Sequence, residues 1–220
     1  MEKILLLGAS GHAKLIIDTV EKEGRFSILG LLDENKPKGT EWLGYTILGK
    51  ITDLAALIAE GGVRLGIIAI GDNWVRQEVT RLVERIAPEF AYVSTIHPSA
   101  QIARDVSIGT GTVIMAASAI NASAKLGRHC YVSTKASLDH DSVLEDFTSL
   151  GPGATVGGGV RIGTCSAIAL GANVIHGVQI GEHTVIGAGA AVVRDTADRI
   201  IAYGVPAKAV RKRMPGDKYL

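Results

Sequence analysis

"GPGATVGGGVRIGTCSAIALGANVIHGVQIGEHTVIG", residues 151–187, repeats itself every six positions. Val156, Ile162, Ile168, Val174, Ile180 and Ile186 fall on one beat, and Ala154, Val160, Ser166, Ala172, Val178 and Thr184 precede them by two. Outward in both directions the beat holds without a slip from Ile96 to Val192, 17 aliphatic residues in succession. A six-residue period matches neither an α-helix nor simple strand alternation; it marks a parallel β-helix. Each hexad supplies one short strand and one corner. Three hexads, about 18 residues, close a triangular coil, and stacked coils bury the aliphatic rows. Gly109, Gly127, Gly163, Gly181 and Gly187 follow the aliphatic residue, where the corner is expected to need backbone freedom.

Residues 1–90 carry a different rhythm. "KILLL" (3–7), "SILGLLD" (27–33) and "RLGIIAI" (64–70) read as strands. "TDLAALIAEGG" (52–62) and "NWVRQEVTRLVERIA" (73–87) read as helices, and the Gly-rich "GASGHAK" (8–14) turns into a helix over 12–23. Strands alternating with helices imply a small parallel, Rossmann-like sheet with helices on its faces. Pro88 to Thr95 reads as the connector, giving domains of 1–90 and 91–220.

The composition narrows the partners. A net charge of +1 offers no basic field to nucleic acid, and 5% aromatic residues offer few stacking surfaces. Two cysteines, Cys130 and Cys165, make no disulfide framework and fit a reducing compartment. The uncharged run 106–124 is too polar and has the wrong period for a membrane span, and the apolar run at the N-terminus is too short for a signal peptide. A soluble, cytoplasmic protein is expected.

Two places point to chemistry. "GASGHA" is neither a G-x-G-x-x-G fingerprint nor a Walker loop, yet its amides open a helix, where a phosphate could bind; the alternative is a plain tight turn. Asp33 ends the next strand, where an acid commonly meets a ribose or base. The second place is "LDHDSV" (138–143). With coils of about 18 residues, His140 stacks between Ala122 and Gly158, so "GGG" (157–159) lies against "DHD" (139–141). A flat patch without side chains beside an imidazole is where a ligand can approach backbone amides. The competing reading is a solvated corner histidine.

The whole chain, in order, reads "LLLGASGHAK", "LLDEN", "AIGDNWVR", "IHPSAQIA", the hexads with "DHD", and "VIGAGAAVVRD…GVPAK". It resembles the bacterial nucleotide-amino-sugar N-acetyltransferases of the hexapeptide-repeat superfamily, the group of the bacillosamine and perosamine enzymes and the sialic acid O-acetyltransferase-like proteins. The resemblance implies a left-handed β-helix, a homotrimer, and acetyl-CoA in the groove between adjacent β-helices. A nucleotide-linked amino sugar, most simply UDP-linked, is then held by the N-terminal domain. His140 matches the general base, Asp141 the acid that orients it, and Gly158 a glycine whose amide polarises the thioester carbonyl. Gly8, Ser10, Gly11 and His12 match the phosphate loop, Asp33 a base- or ribose-binding acid, and Asp72, Asn73 and Arg76 a second substrate-facing loop. Ser149, Leu170 and Lys208 fall where acetyl-CoA would run. Two departures stand out: Ser149 and Ser133 occupy positions that are often histidine and asparagine in the family.

The reaction this implies needs neither metal nor covalent intermediate, because the thiolate of CoA leaves readily. A histidine with an ordinary pKa near ~6.5 suits removal of the amine proton. Three further readings compete: a sialic acid O-acetyltransferase, a trimeric sugar-nucleotide scaffold without catalysis, and a β-helix metal hydratase. Against the last, no histidine accompanies His176 within five residues, and His183 sits at a different hexad position from it. His97, before Pro98, reads as structural, Cys130 as a filler of an inward slot, and "RKRMPGDK" (211–218) as a solvated basic tail.

Overall fold

The structure is a computed structural model that describes residues 1–60, 62–214 and 216–217; Pro215 and Lys218 of the basic tail lie outside the described residues. Its first body is a six-stranded sheet of β1 (Glu2–Leu7), β2 (Phe26–Leu32), β3 (Glu41–Trp42), β4 (Tyr45–Gly49), β5 (Leu65–Ile68) and β6 (Ala91–Tyr92). The spatial order is β3-β4-β2-β1-β5-β6, with only β3 antiparallel to its neighbour. Helices α1 (Gly11–Glu23), α2 (Leu54–Ala59) and α3 (Asn73–Ile86) connect the strands. Helix α1 buries Ala13, Ile16, Ile17 and Val20, one stripe at helical spacing, and ends on Gly24 in the left-handed region.

Two features differ from the sequence reading. The β3–β4 hairpin was not expected: β3 has only two residues, too few to show a period, and the hairpin's turn, Leu43–Gly44, holds both residues at positive φ. The expected connector also contains β6, which pairs with β5, so the sheet passes the chain to the β-helix within three residues.

The second body is a left-handed parallel β-helix. Its two-residue strands pair at a constant offset, Val113 with Tyr131, Ser137 with Thr155 and Val143 with Arg161. The first face runs from Thr95–Ile96 to Val185–Ile186, the second from Gln101–Ile102 to Ala191–Val192, and the third from Ser107–Ile108 to Gln179–Ile180. From Ile114 on, the aliphatic beat fills the interior together with Ala124, Cys130, Ala136, Ala154 and Ala172. Inward hydroxyls are satisfied by the corners: Ser142 Oγ donates to the Gly157 carbonyl at 2.9 Å and accepts from Val160 N–H at 3.1 Å.

The corner glycines have a different reason from the expected one. Gly109, Gly127, Gly163, Gly181 and Gly187 all lie outside the left-handed region. A Cβ at Gly109 would stand 2.5 Å from the Gly127 carbonyl carbon, and one at Gly163 would stand 2.7 Å from Glu182 N. Stacked corners approach too closely for a methyl group there. The left-handed residue comes two positions later, on every sixth residue from Asp105 to Gly189, and none of these is β-branched.

The faces differ in what covers them. Outward residues of the first face, Val113 and Tyr131, are buried with Met115 against Ile4, Ala9, Ala13 and Ile16 of the sheet domain. Outward residues of the third face, Lys125, Arg161 and Gln179, are exposed. The sheet domain therefore sits on the first face. Beyond the last coil, Ile200–Tyr203 extends that face and pairs antiparallel with Lys208–Lys212.

Candidate active site

His140 occupies the corner between the second and third faces. Its Nδ1 lies 2.8 Å from Asp141 Oδ2, and its backbone N–H donates to Asp139 Oδ1 at 2.8 Å. Asn121, one coil below, donates to the same Asp139 oxygen at 2.7 Å. The ring lies against Gly158 one coil above: a Cβ there would stand 2.6 Å from Nε2. The nitrogen facing the glycine patch is therefore the one that Asp141 leaves free. The bond to Asp141 and the nearby charge of Asp139 raise the pKa of this exposed imidazole above its ordinary value. Gly157 N–H is spent on the Val174 carbonyl and Gly159 N–H on the His140 carbonyl, whereas Gly158 N–H has no protein acceptor among the described residues.

The Gly-rich loop forms as expected. Gly8 has φ 118, and a Cβ there would stand 2.9 Å from the Ala69 carbonyl oxygen. Ser10 caps α1 by accepting His12 N–H at 3.3 Å. Asp33 takes on a task that the sequence did not reveal: Oδ2 accepts Ala9 N–H at 2.7 Å, and Oδ1 accepts Asn35 and Lys36 N–H at 2.9 and 3.1 Å. It thereby ties the loop to the end of β2. Burial, helped by Arg76, lowers the His12 pKa to about 4, so its ring is neutral near pH 7.

Beside the loop, His12 and Leu15 face Tyr131, Ser149, Pro152 and Leu170 across a mostly apolar cavity of about 310 Å³. Leu170 thus joins the sheet-domain loop. It lies at the corner between the first and second faces, not at the corner that carries His140. Lys208 lies on the terminal strand, beside a groove of about 360 Å³ shared with Arg194 and Thr196.

Two expected substrate contacts are corrected. Asn73 and Arg76 are completely buried, and Arg76 spends its donors on protein acceptors, among them the His129 and Phe147 carbonyls at 2.9 and 3.1 Å. They fasten α3 to the β-helix. Ser149 belongs to the same junction, donating to Asn73 Oδ1 at 2.5 Å. Of that loop, Asp72 remains half-buried, capping α3 through Val75 N–H at 2.9 Å. Four of the outward first-face positions, Val113, Tyr131, Ala167 and Val185, are apolar, whereas the equally uncharged second face shows the polar Gln101, Ser137, Thr155 and Asn173; apolarity was the available sign that the first face is covered.

His97, Cys130 and Cys165 are buried in the packing. His97 Nδ1 lies 2.7 Å from Ser99 Oγ, and burial pushes both Cys130 and Cys165 up to about 12. Among the described residues, no group of three or more His, Cys, Asp or Glu side chains is gathered to hold a metal ion. Among the same residues, no helix is long and apolar enough to cross a membrane.

Comparison with known proteins bears on both bodies. Residues 3–83 match the family model described as the PglD N-terminal domain. Over 121 residues the chain is 34% identical to the UDP-N-acetylbacillosamine N-acetyltransferase of Bacillus subtilis strain 168; the match spans 53% of this chain and 52% of that protein. The GDP-perosamine N-acetyltransferase of Caulobacter crescentus, solved as a histidine-to-alanine variant with CoA and GDP-perosamine, aligns with a TM-score of 0.89 at 36% identity. That alignment covers 96% of this chain and 98% of the other. The acetyltransferase domain of PglB from Neisseria gonorrhoeae, in complex with acetyl coenzyme A, gives a TM-score of 0.86 at 30% identity over 95% and 99% of the two chains.

Proposed function

We infer the activity from one premise: the chain belongs to the nucleotide-amino-sugar N-acetyltransferases. The reaction is transfer of an acetyl group from acetyl-CoA to the amino group of a nucleotide-linked 4-amino-deoxy sugar, with UDP as the expected nucleotide. The observation that carries this reading is the imidazole of His140, bound through Nδ1 to Asp141 at 2.8 Å and laid over Gly158.

The steps follow from that geometry. Asp141 holds the proton on Nδ1 and leaves the Nε2 lone pair free. The amine nitrogen attacks the thioester carbonyl carbon, and Nε2 takes the proton that this nitrogen sheds as the C–N bond forms. Gly158 N–H supports the oxyanion. The C–S bond then breaks, and the departing thiolate recovers the proton from His140. Gly8, Ser10, Gly11 and His12 hold the diphosphate, with Asp33 behind the loop and Asp72 beside it. His12, being neutral, serves as a hydrogen-bonding group rather than a counter-charge. The apolar cavity edged by Leu15, Pro152 and Leu170 suits a sugar lacking hydroxyls. Lys208 contacts the phosphates of CoA, and Leu170, exposed at its corner, lines its path.

Within one chain the sugar-nucleotide loop and His140 belong to different corners of the β-helix. A homotrimer, which brings one corner of each copy against another corner of the next, completes the site. Both substrates are made in the cytoplasm, where this reading places the enzyme. Thiol release from acetyl-CoA, measured with nucleotide 4-amino sugars and with free sialic acid, tests the proposal. Release with sialic acid alone would overturn N-acetylation, and release with neither would favour the scaffold reading.

A further inference from the structure

Arg76 is one of two arginines among the largest fully buried side chains of the described residues, and no carboxylate is among the groups that bind it. Burying a cation without an anion is expensive, so its hydrogen bonds must justify the position. Nη1 donates to the Ile70 and Gly71 carbonyls, both at 3.0 Å, where the chain leaves β5 for α3. Nε donates to the His129 carbonyl at 2.9 Å, and Nη2 to the Phe147 carbonyl at 3.1 Å, both on the β-helix. Nη2 also reaches Asn73 Oδ1 at 2.8 Å and Ser149 Oγ at 3.2 Å. One rigid planar group thus fixes backbone from both domains, which a lysine ammonium could not do.

The contact continues to the Gly-rich loop. The guanidinium carbon lies 3.9 Å from the centre of the Tyr131 ring, and that ring stacks on His12 at 4.6 Å with 22° between the planes. The Tyr131 hydroxyl donates to the Ile68 carbonyl. Gly71, whose carbonyl Arg76 holds, packs so closely that a Cβ there would stand 3.4 Å from the His12 ring. Arg76, Tyr131 and His12 therefore form one continuous stack from the domain junction to the loop.

We propose that Arg76 is a positioning residue for sugar-nucleotide binding, holding the Gly8–His12 loop in place against the β-helix through Tyr131. The inference rests on the assignment of that loop to the nucleotide sugar. In Arg76→Lys, KM for the nucleotide sugar should rise roughly tenfold to a hundredfold, while KM for acetyl-CoA and the acid limb set by His140 stay in place. Amide exchange at residues 8–12, measured without ligand, should accelerate. Tyr131→Leu should reproduce both changes, and the double variant should be little worse than either single one, because the two residues act through one stack. Additive losses, or a parallel rise in KM for acetyl-CoA, would overturn the proposal. If Arg76→Lys does not fold, the Tyr131 pair decides: Tyr131→Phe keeps the ring and should leave loop exchange at its wild-type level, whereas Tyr131→Leu should not. Equal acceleration in both would refute the stack. Because exchange needs no substrate, a wild-type enzyme without acetyl transfer would defeat the functional reading and leave this test standing.

Discussion

His140 and His129 sit at two corners of one β-helix, each with a glycine from a neighbouring coil against its ring, Gly158 for the first and Gly111 for the second. Everything else about them is opposed. His129 is completely buried, stacked on Phe147 at 5.1 Å and edge-on to Tyr92 at 4.5 Å. Burial, then Arg76 and Arg128, push its pKa down to about 3. His140 faces water with Asp141 on one nitrogen, and its pKa is raised. The repeat supplies a corner, and the neighbours decide whether the imidazole packs the domain junction or accepts a proton.

The sharpest way to break this comparison is to delete each ring. His140→Ala should lower kcat by roughly 10²–10⁴ while leaving the fold intact. His129→Ala should do the reverse: a cavity between Tyr92 and Phe147 should cost about 2–4 kcal/mol of stability with little change in kcat. Thermal melts and saturating kinetics on both variants check the pair. A His140→Ala enzyme with near-wild-type kcat would return His140 to the class of ordinary corner residues.

Gly158→Ala follows in size. The added methyl would meet Nε2 of His140 itself, at 2.6 Å, so the ring must move. A ring displacement of about 1 Å costs about 10² in rate. The loss should appear in kcat as well as in KM for acetyl-CoA, and a rise in KM alone would place the ring elsewhere during turnover.

How far the sequence reached follows the same division. The β-helix interior was legible to the residue because its period is strict and its stacking offset constant; His140 against Gly158 follows from that arithmetic alone. The corner glycines were located but misexplained, since a period reveals where a glycine stands and not whether φ or space requires it. Asn73 and Arg76 were misplaced for a related reason. A polar pair at the start of a helix looks the same in sequence whether it meets a ligand or another domain, and only the apolar first-face positions Val113, Tyr131, Ala167 and Val185 pointed to a covered surface. The β3–β4 hairpin escaped because β3 has only two residues and its turn opens on Leu43, a residue that does not mark a turn.

A third test uses acid. His129 titrates near 3 when folded and near 6.5 when unfolded, so the unfolded state binds the extra proton between those values. Stability is therefore lost as pH falls through 6.5 towards 3, by up to about 1.4 kcal/mol per pH unit for each such histidine. His12, held at about 4, acts in the same direction. His129→Phe should remove one proton from this slope between about pH 6 and pH 4.5, where the unfolded histidine gains its charge. Denaturant unfolding at several pH values measures it, and an unchanged slope would mean that the buried ring is already charged.

The smallest expected effect concerns the partner of the exposed ring. Asp141 raises the His140 pKa by binding Nδ1, and Asp139 adds to the rise through its charge. As a base, His140 works only when unprotonated, so activity should fall as pH drops through this raised value. Asp141→Asn keeps a side chain of the same shape beside Nδ1 but removes the charge. The pKa should move down towards its ordinary value, and the acid limb of the kcat profile should move to lower pH with it. At the plateau the rate should drop only about two- to fivefold, the scale of an exposed charged contact. Below the wild-type limb the two effects oppose each other, and the variant should lose less of its plateau rate than the wild type loses of its own. A limb that stays in place would show that Asp141 orients the ring without tuning it, and a limb that moves to higher pH would assign the titration to a group other than His140.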